Sequence, residues 1–396
     1  MSLKIGIIFY GRFPWNRGIG QLYNLLKELG HNPVIASSRS EKRFFTKNDC
    51  SYKVLYLTKN DTKLAKMKSF HFPFNPFWKT WILKLAKEQE LDALIVRETP
   101  LSWPTLSAAK KLDIPVILDM RENLGATYKA NKEKNLLKKI FCQKRLVQLY
   151  ESFFMQRFDH ILTVSDELGS WVRRQYKIPV RKISTLGNFP DADFLEQAQN
   201  ALSRSDKKNN NFIRLVHAGY VEESRGLQDI IKAIPLILKK KYDVVLRIIG
   251  KGNYLPNLKG LAKDLGLERR IEFVPMLPPS QLAEALVDCD IGVCSYLINE
   301  QTNQTLPGKL FEYMSVGLPI LSSERKPVVR IIEKERCGVL YYSRECKEIA
   351  TKIISMIKHS SEMIEMGKRG HIAILREYNW KTNLCVLEHV LNRVCQ

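Results

Sequence analysis

The sequence predicts an α/β protein made of two doubly wound domains, each built on a parallel sheet. Three observations carry this. Short continuous apolar runs rich in Val, Ile and Leu alternate with segments of helical period, the grammar of βαβ units. That grammar runs once from KIGIIFY (4–10) to TLGNF (185–189) and restarts at FIRLVHAGY (212–220). Between them lies NALSRSDKKNNN (200–211), polar and poor in apolar residues, which reads as a linker. The expected organisation is a first domain over 1–198, a linker over 199–211 and a second domain over 212–370. A C-terminal helix over 371–396 is expected to pack back on the first domain.

The elements follow in order. KIGIIFY is a strand, followed by a glycine-containing turn with Gly11, Gly18 and Gly20. QLYNLLKELG (21–30) is a helix: Leu22, Leu25, Leu26 and Leu29 share one face, and Gly30 stops it. PVIAS (33–37), LDALIVRE (91–98), IPVILDMRE (114–122), HILTVS (160–165) and KISTLGNF (182–189) are strands, and LSAAKKLD (106–113) is helical. In the second half FIRLVHAGY, YDVVLRIIG (242–250), IEFVPML (271–277), IGVCSY (291–296), LPILSSE (318–324) and CGVLYY (337–342) are strands. LQDIIKAIPLIL (227–238) and QLAEALVDC (281–289) are helices. In such sheets ligands bind beyond the C-terminal strand ends. The site is therefore expected on loops just after strands, in the cleft between the halves.

Composition narrows the class. The chain has 396 residues, 45% hydrophobic and 26% charged, ample for packed cores. Its eight Cys form no CxxC and no zinc-spaced cluster with His, so ordinary thiols of a reducing compartment are expected. LKIGIIFY is too short for a signal sequence, and no window approaches ~18 uninterrupted apolar residues. A cytoplasmic location is expected. The net charge is +22, and residues 1–200 hold 33 Lys and Arg against 19 Asp and Glu, so most of the excess lies in the first half. It gathers over Lys42 to Lys87, which includes FHFPFNPFWKTW (70–81), and over KANKEKNLLKKIFCQKR (129–145). Cations interleaved with aromatics, beside the amphipathic Leu136, Leu137, Ile140 and Phe141, suit an anionic membrane surface. No helix-turn-helix, zinc-finger or RNP pattern is present, so nucleic acid is not the expected partner.

Three loops have the right address for chemistry. Gly219 ends a strand, and Arg225-Gly226 leads into a helix near Leu227. A helix N-terminus with an Arg fork suits phosphate. Gly250-Lys251-Gly252 is a second turn; position 255 is Leu, so it is not a GxGxxG dinucleotide fingerprint. The third is NQTLPGKLFEYMSVGLPI (303–320). Gln304, Thr305, Leu306, Pro307 and Gly308 approach a short helix that carries Lys309 and Glu312 and stops at Gly317. The helix dipole alone offers a carboxylate only ~0.3–1 kcal/mol there. A ribose diol gives a better reason, because charge-assisted hydrogen bonds contribute roughly 1.5–3 kcal/mol each. Lys309, nearly on the same face, would then meet a diphosphate. Asp191-Ala192-Asp193 and Asp288-Cys289-Asp290 read D-x-D, but in a turn and a helix-to-strand joint. They are expected to be structural, with no metal.

This arrangement resembles the family-4 glycosyltransferases of the GT-B fold. Their segment E-x7-E-[A/Y]-[M/L]-[A/S]-x-G-x-P matches Glu312, Tyr313, Met314, Ser315, Gly317 and Pro319, and PGKLFEYM looks like the P-x-K-x-[F/Y]-E-Y variant of polysaccharide-assembly enzymes. HAGYVEESRGLQDIIKAI is similar to the family's phosphate loop, LRIIGKG to its L-x-I-x-G-x-G, and ILTVSDEL with TLGNF to its "TVS…vipNG" passage, Asn188 being the Asn. The resemblance implies that Glu312 binds ribose and that Arg225 and Lys309 neutralise the diphosphate of a UDP- or GDP-linked sugar. Gly219, Gly226, Gly250 and Gly252 would lie against the donor, and Gly18 and Gly20 would let the N-terminal loop approach donor phosphate or acceptor. Asp119, Arg121 and Glu122 are acceptor-side candidates. The implied function is retaining transfer, without cofactor or metal, of a hexose-type sugar to a lipid-linked or polysaccharide acceptor at the cytoplasmic membrane face. There are departures. The first acid of E-x7-E is Gln304, the Arg after the first strand's glycine is Tyr220, and Lys309 or Lys251 is the expected replacement. These departures keep open a non-catalytic or epimerase-like relative that binds nucleotide sugar or an anionic surface.

Overall fold

The computed structural model describes residues 2–13, 17–40, 52–58, 74–130, 143–204, 212–342 and 344–395. The chain divides into two units, Met1–Gly187 with Asn383–Gln396, and Asn188–Thr382.

The first unit holds β1 (Lys4–Phe13), α1 (Arg17–Glu28), β2 (Asn32–Ser40), β3 (Val54–Thr58), α2 (Pro76–Glu88), β4 (Ala93–Arg97), α3 (Ser102–Leu112), β5 (Val116–Met120), α4 (Leu124–Ala130), α5 (Lys144–Phe154), β6 (His160–Thr163), α6 (Asp166–Tyr176) and β7 (Ile183–Thr185). Its seven strands run in the order β3-β2-β1-β4-β5-β6-β7, and every pairing is parallel. β4 and β5, ALIVR and VILDM, are buried along their whole length, as parallel strands covered on both faces must be. Trp78, Ile82, Leu85 and Ala86 of α2 and Phe158, Leu168 and Val172 pack into the same core.

The second unit holds α7 (Ala192–Arg204), β8 (Ile213–Tyr220), α8 (Leu227–Lys239), β9 (Val244–Lys251), α9 (Leu255–Asp264), β10 (Ile271–Val274), α10 (Pro279–Val287), β11 (Ile291–Cys294), α11 (Gly308–Ser315), β12 (Ile320–Ser323), α12 (Lys326–Glu335), β13 (Gly338–Tyr341), α13 (Cys346–Lys358) and α14 (Ser360–Arg376). A last helix, α15 (Trp380–Val394), supplies the first unit from Asn383 onward. The sheet is parallel, in the order β10-β9-β8-β11-β12-β13. Strand order reverses between β8 and β11, and that switch point opens the crevice where such sheets take ligands.

The expected boundaries need correcting. The division falls at Gly187 rather than 198, and residues 199–204 are not linker but the end of α7. Phe194, Ala198 and Ala201, spaced four and three residues apart, bury one face of α7 in the second unit's core, and that stripe outweighs the polar composition. The rest of the expected linker, 205–211, lies outside the described residues. Gly11 belongs to β1 and Gly18 and Gly20 to the first turns of α1, so none of them sits in the expected turn. β3 was not anticipated; it falls within the basic stretch 42–87.

Candidate functional site

The second unit gathers its polar side chains at the carboxyl ends of β8, β11 and β12. Gly219 takes φ +119°, and Gly226 takes φ +66° just before α8. Between them Glu223–Arg225 forms a single 3-10 turn. Two hydrogen bonds fasten that turn to the segment after β11: Ser295 Oγ donates to Arg225 O at 2.7 Å, and Leu297 N donates to Ser224 O at 2.8 Å. Arg225 is thereby held over the Tyr296 ring, its guanidinium carbon 4.8 Å from the centroid, while pairing with Glu222 at 3.0 Å.

α11 brings Lys309 to the same place. Pro307 supplies the extended N-cap, and Asn188 Nδ2 donates to Leu306 O at 2.9 Å, fixing the entry. Lys309 Nζ lies 3.1 Å from His217 Nε2 and 5.6 Å from the Tyr296 centroid. Glu312 follows three residues later on this helix. Gln304 is buried at the end of the preceding loop, where Thr305 Oγ1 donates to Gln301 O at 3.3 Å. A further cation, Arg325, stacks on Tyr296 at 3.9 Å; no sequence motif had singled it out.

The electrostatics follow from this crowding. Burial pushes the His217 imidazole well below its usual range, and Lys309 and Arg225 push it further, so it is neutral at pH 7. Burial also lowers the Lys309 ammonium, against the Tyr296 phenol and with Arg225. Burial raises the Tyr296 phenol, yet Lys309, Arg225 and Arg325 together hold it below its ordinary value. Such a pocket favours an anion.

Gly250 and Gly252 have a simpler reason to be glycine. A Cβ at Gly250 would lie 1.9 Å from Gly219 O, and one at Gly252 1.9 Å from Val221 O. The ends of β8 and β9 approach too closely for any side chain. Lys251 is exposed, its Nζ 5.8 Å from the Tyr220 ring centroid.

In the first unit Asp119, at the end of β5, is fully buried between two guanidinium groups, with Arg97 Nε at 2.9 Å and Arg121 Nε at 2.7 Å. Arg97 reaches on to Gly18 O at 2.9 Å, and Arg121 to Leu186 O at 2.9 Å. Gly20 lies beside Tyr52, whose Oη would be 3.3 Å from a Cβ there. Glu122 Oε2 accepts from Thr127 Oγ1 at 2.7 Å. Beside them stands a residue that sequence reading passed over. Glu98 closes β4 with φ +67° and ψ 158°, a conformation that side chains rarely adopt. Its Oε1 accepts from Arg121 N at 3.0 Å, and its buried Oε2 has no hydrogen-bond partner among the described residues. Burial, then Glu122, pushes its carboxyl well above the usual range.

One carboxylate of each D-x-D is occupied locally. Asp191 Oδ1 caps α7 through Phe194 N, and Asp290 Oδ2 accepts from Arg214 N. Among the described residues no group of three or more His, Cys, Asp or Glu could hold a metal ion. Most of the basic aromatic patches, 42–51, 59–73 and 131–142, including Leu136, Leu137, Ile140 and Phe141, lie outside the described residues. Within the remainder Trp78 is core, but Phe74 and Phe77 are exposed; just beyond the second patch, Leu146, Leu149 and Phe153 are exposed along one face of α5.

Comparisons with known proteins agree with this architecture. Residues 16–194 match the model "Glycosyltransferase Family 4", and residues 198–372 match "Glycosyl transferases group 1". An uncharacterized glycosyltransferase of Haemophilus influenzae is 25% identical over 292 residues, covering 73% of each chain. Alpha-monoglucosyldiacylglycerol synthase of Streptococcus pneumoniae is 24% identical over 308 residues, 75% of this chain and 66% of that one. HepE of Anabaena in complex with UDP superposes with a TM-score of 0.73 at 14% identity, covering 98% of this chain and 100% of that chain, a likeness of fold. The two family matches run almost end to end through the two parallel-sheet units, and the chain is a family-4-like glycosyltransferase of the GT-B fold.

Proposed function

We propose that this protein transfers a sugar, with retention at the anomeric carbon, from a nucleoside-diphosphate donor to a lipid-linked or polysaccharide acceptor. The observation that carries this is the convergence of Arg225 and Lys309 on Tyr296, with Glu312 three residues beyond Lys309 on α11. Cations that Glu222 and Glu312 only partly offset suit a diphosphate, and a carboxylate suits the ribose diol beside it. Chemically, the bond from the anomeric carbon to the phosphate oxygen breaks, the acceptor oxygen bonds from the same face, and the acceptor proton leaves with the diphosphate. Negative charge grows on the leaving group, so the fixed cations and the helix N-termini of α8 and α11 act most strongly in the transition state. The UDP in the HepE structure and the glycolipid product in the pneumococcal relative's name are consistent with this reading.

On the acceptor side, Asp119 serves as a brace that aims Arg97 and Arg121, while Glu98 and Glu122 offer oxygens to an acceptor hydroxyl. The protein works at the cytoplasmic membrane face and docks through its first unit. Leu146, Leu149 and Phe153 recur at helical spacing on α5, with Lys144 and Arg145 at its start.

Thermal shift against UDP, GDP, ADP and CMP tests the core of this. At about 100 times its dissociation constant a ligand stabilises by ~2.7 kcal/mol. One nucleoside diphosphate should raise the melting temperature, and Arg225→Ala and Glu312→Ala should each abolish turnover while remaining folded. Turnover that persists in both variants would rule out this site.

A further inference from the structure

Arg325 lies on the loop between β12 and α12, at the carboxyl edge of the second sheet. It is 1% exposed and among the largest fully buried side chains of the molecule. Its guanidinium carbon is 3.9 Å from the Tyr296 centroid, closer than Arg225 or Lys309. Nε and one terminal nitrogen are buried with no hydrogen-bond partner among the described residues. A guanidinium keeps its proton in proteins, so it cannot escape this desolvation by neutralising. Burial and nearby Arg225 both disfavour its charge. Packing alone gives no reason to keep two donors open in a core, because Met or Leu would fill the same volume without that cost.

The surroundings tie the Arg325 loop to the rest of the site. Ser323 Oγ, at the end of β12, accepts from Tyr296 N at 3.0 Å, and Lys326 N donates to Asn303 Oδ1 at 3.3 Å. The Arg325 loop is therefore fastened to both the Tyr296 segment and the Gln304 loop. Tyr220, at the position of the usual Arg, is half-exposed and uncharged, and Lys251 has its Nζ 5.8 Å from the Tyr220 ring centroid.

We infer that Arg325 is a third cation of the diphosphate site, its planar fork taking phosphate oxygens of the leaving nucleotide in place of the guanidinium absent at Tyr220. The inference rests on the nucleoside-diphosphate reading proposed above. A fork provides two directed donors where an ammonium provides a point charge. The Tyr296 face holds it in plane before the ligand arrives, so its order is not lost again on binding.

Calorimetric titration of the full chain with UDP and GDP, and with uridine and guanosine, tests this in wild type, Arg325→Gln and Arg325→Lys. Melting temperatures of the three free proteins are measured beside it. Arg325→Gln should bind the preferred diphosphate about tenfold weaker or more, with nucleoside affinity unchanged. Free Arg325→Gln should melt at the same temperature or higher, because an unsatisfied buried charge is gone. Arg325→Lys should fall between, keeping the charge and losing the fork. Unchanged diphosphate affinity in Arg325→Gln would overturn the inference, as would an equal loss for the nucleoside. A lowered melting temperature in Arg325→Gln with full affinity in Arg325→Lys would make the residue structural and also overturn it. If wild type binds no nucleoside diphosphate at all, the parent reading fails, which is a distinct result.

Discussion

At the scale of the residue, Lys309 and Glu98 make opposite predictions. The folded chain holds Lys309's proton less tightly than an unfolded chain does. Between its lowered pKa and the ordinary lysine range the unfolded state binds more protons, so this group makes stability rise with pH there. A bound diphosphate restores the ammonium. Nucleotide binding at alkaline pH should therefore take up protons, and affinity should fall as pH rises through the free-protein pKa. Calorimetry in two buffers of different ionisation enthalpy reads the uptake, which Lys309→Gln should remove; no uptake in wild type would separate Lys309 from the diphosphate. Glu98 is raised instead. Above about pH 4.5 the unfolded carboxyl loses its proton while the folded one keeps it, so stability falls with rising pH until the folded pKa is passed. Glu98→Gln should flatten that fall, seen as a smaller difference in denaturant midpoint between about pH 5 and about pH 8. That Lys309 and Glu312 share one short helix was legible in the sequence because their relation is local, less than one helical turn. Arg325 and Glu98 were not. The first depends on β12 ending beside the segment after β11, the second on a backbone angle that no residue type announces.

At the scale of the element, α11 is set by its ends. Gly317 at φ +68° lets Gly317 N and Leu318 N turn back to Met314 O and Tyr313 O, at 3.1 and 3.0 Å, closing the helix. α14 crosses this end at Gly367, where a Cβ would come 2.0 Å from Gly317 O. Gly317→Ala meets only an ordinary contact, with Gly367 O at 3.9 Å, but a left-handed angle, and should cost ~1 kcal/mol. Gly367→Ala must part the two helices and should cost more, about 1–3 kcal/mol, by overpacking. Urea unfolding compares them, and equal midpoints would show that the crossing is slack. Because α11 carries Lys309 and Glu312, Gly367→Ala should also weaken nucleotide binding. The stop at Gly317 could be read in advance, since helix caps are written in neighbouring residues. The helical end of α7 was hidden because Asn, Ser and Arg dominate 200–204. All that spoke against a linker there was a stripe of Phe194, Ala198 and Ala201, two of them small. β3 was hidden for a related reason: five residues, VLYLT, stand alone in a basic stretch.

At the scale of the whole molecule, the membrane docking proposed above is a question of how a chain of net charge +22 would divide its attraction between charge and apolar contact. Among its described residues no helix is long and apolar enough to cross a bilayer. The docking proposed above calls on a surface. Each Lys or Arg near an anionic leaflet contributes ~1 kcal/mol, a term that salt weakens. Each large apolar side chain that enters the interface contributes up to ~1.5–3 kcal/mol, a term that salt leaves in place. The α5 face carries both kinds, with Leu149 at 69% and Phe153 at 59% exposure, and Arg157 3.9 Å over the Phe153 ring. Sedimentation with vesicles should therefore show binding that rises with anionic lipid and falls with salt without vanishing. The double variant Leu149→Asp, Phe153→Asp should lose the salt-resistant part, on the order of a hundredfold in partition, and keep both its melting temperature and its affinity for the preferred nucleoside diphosphate. If the double variant sediments like wild type at high salt, α5 is a solvated face and the docking proposed for it fails.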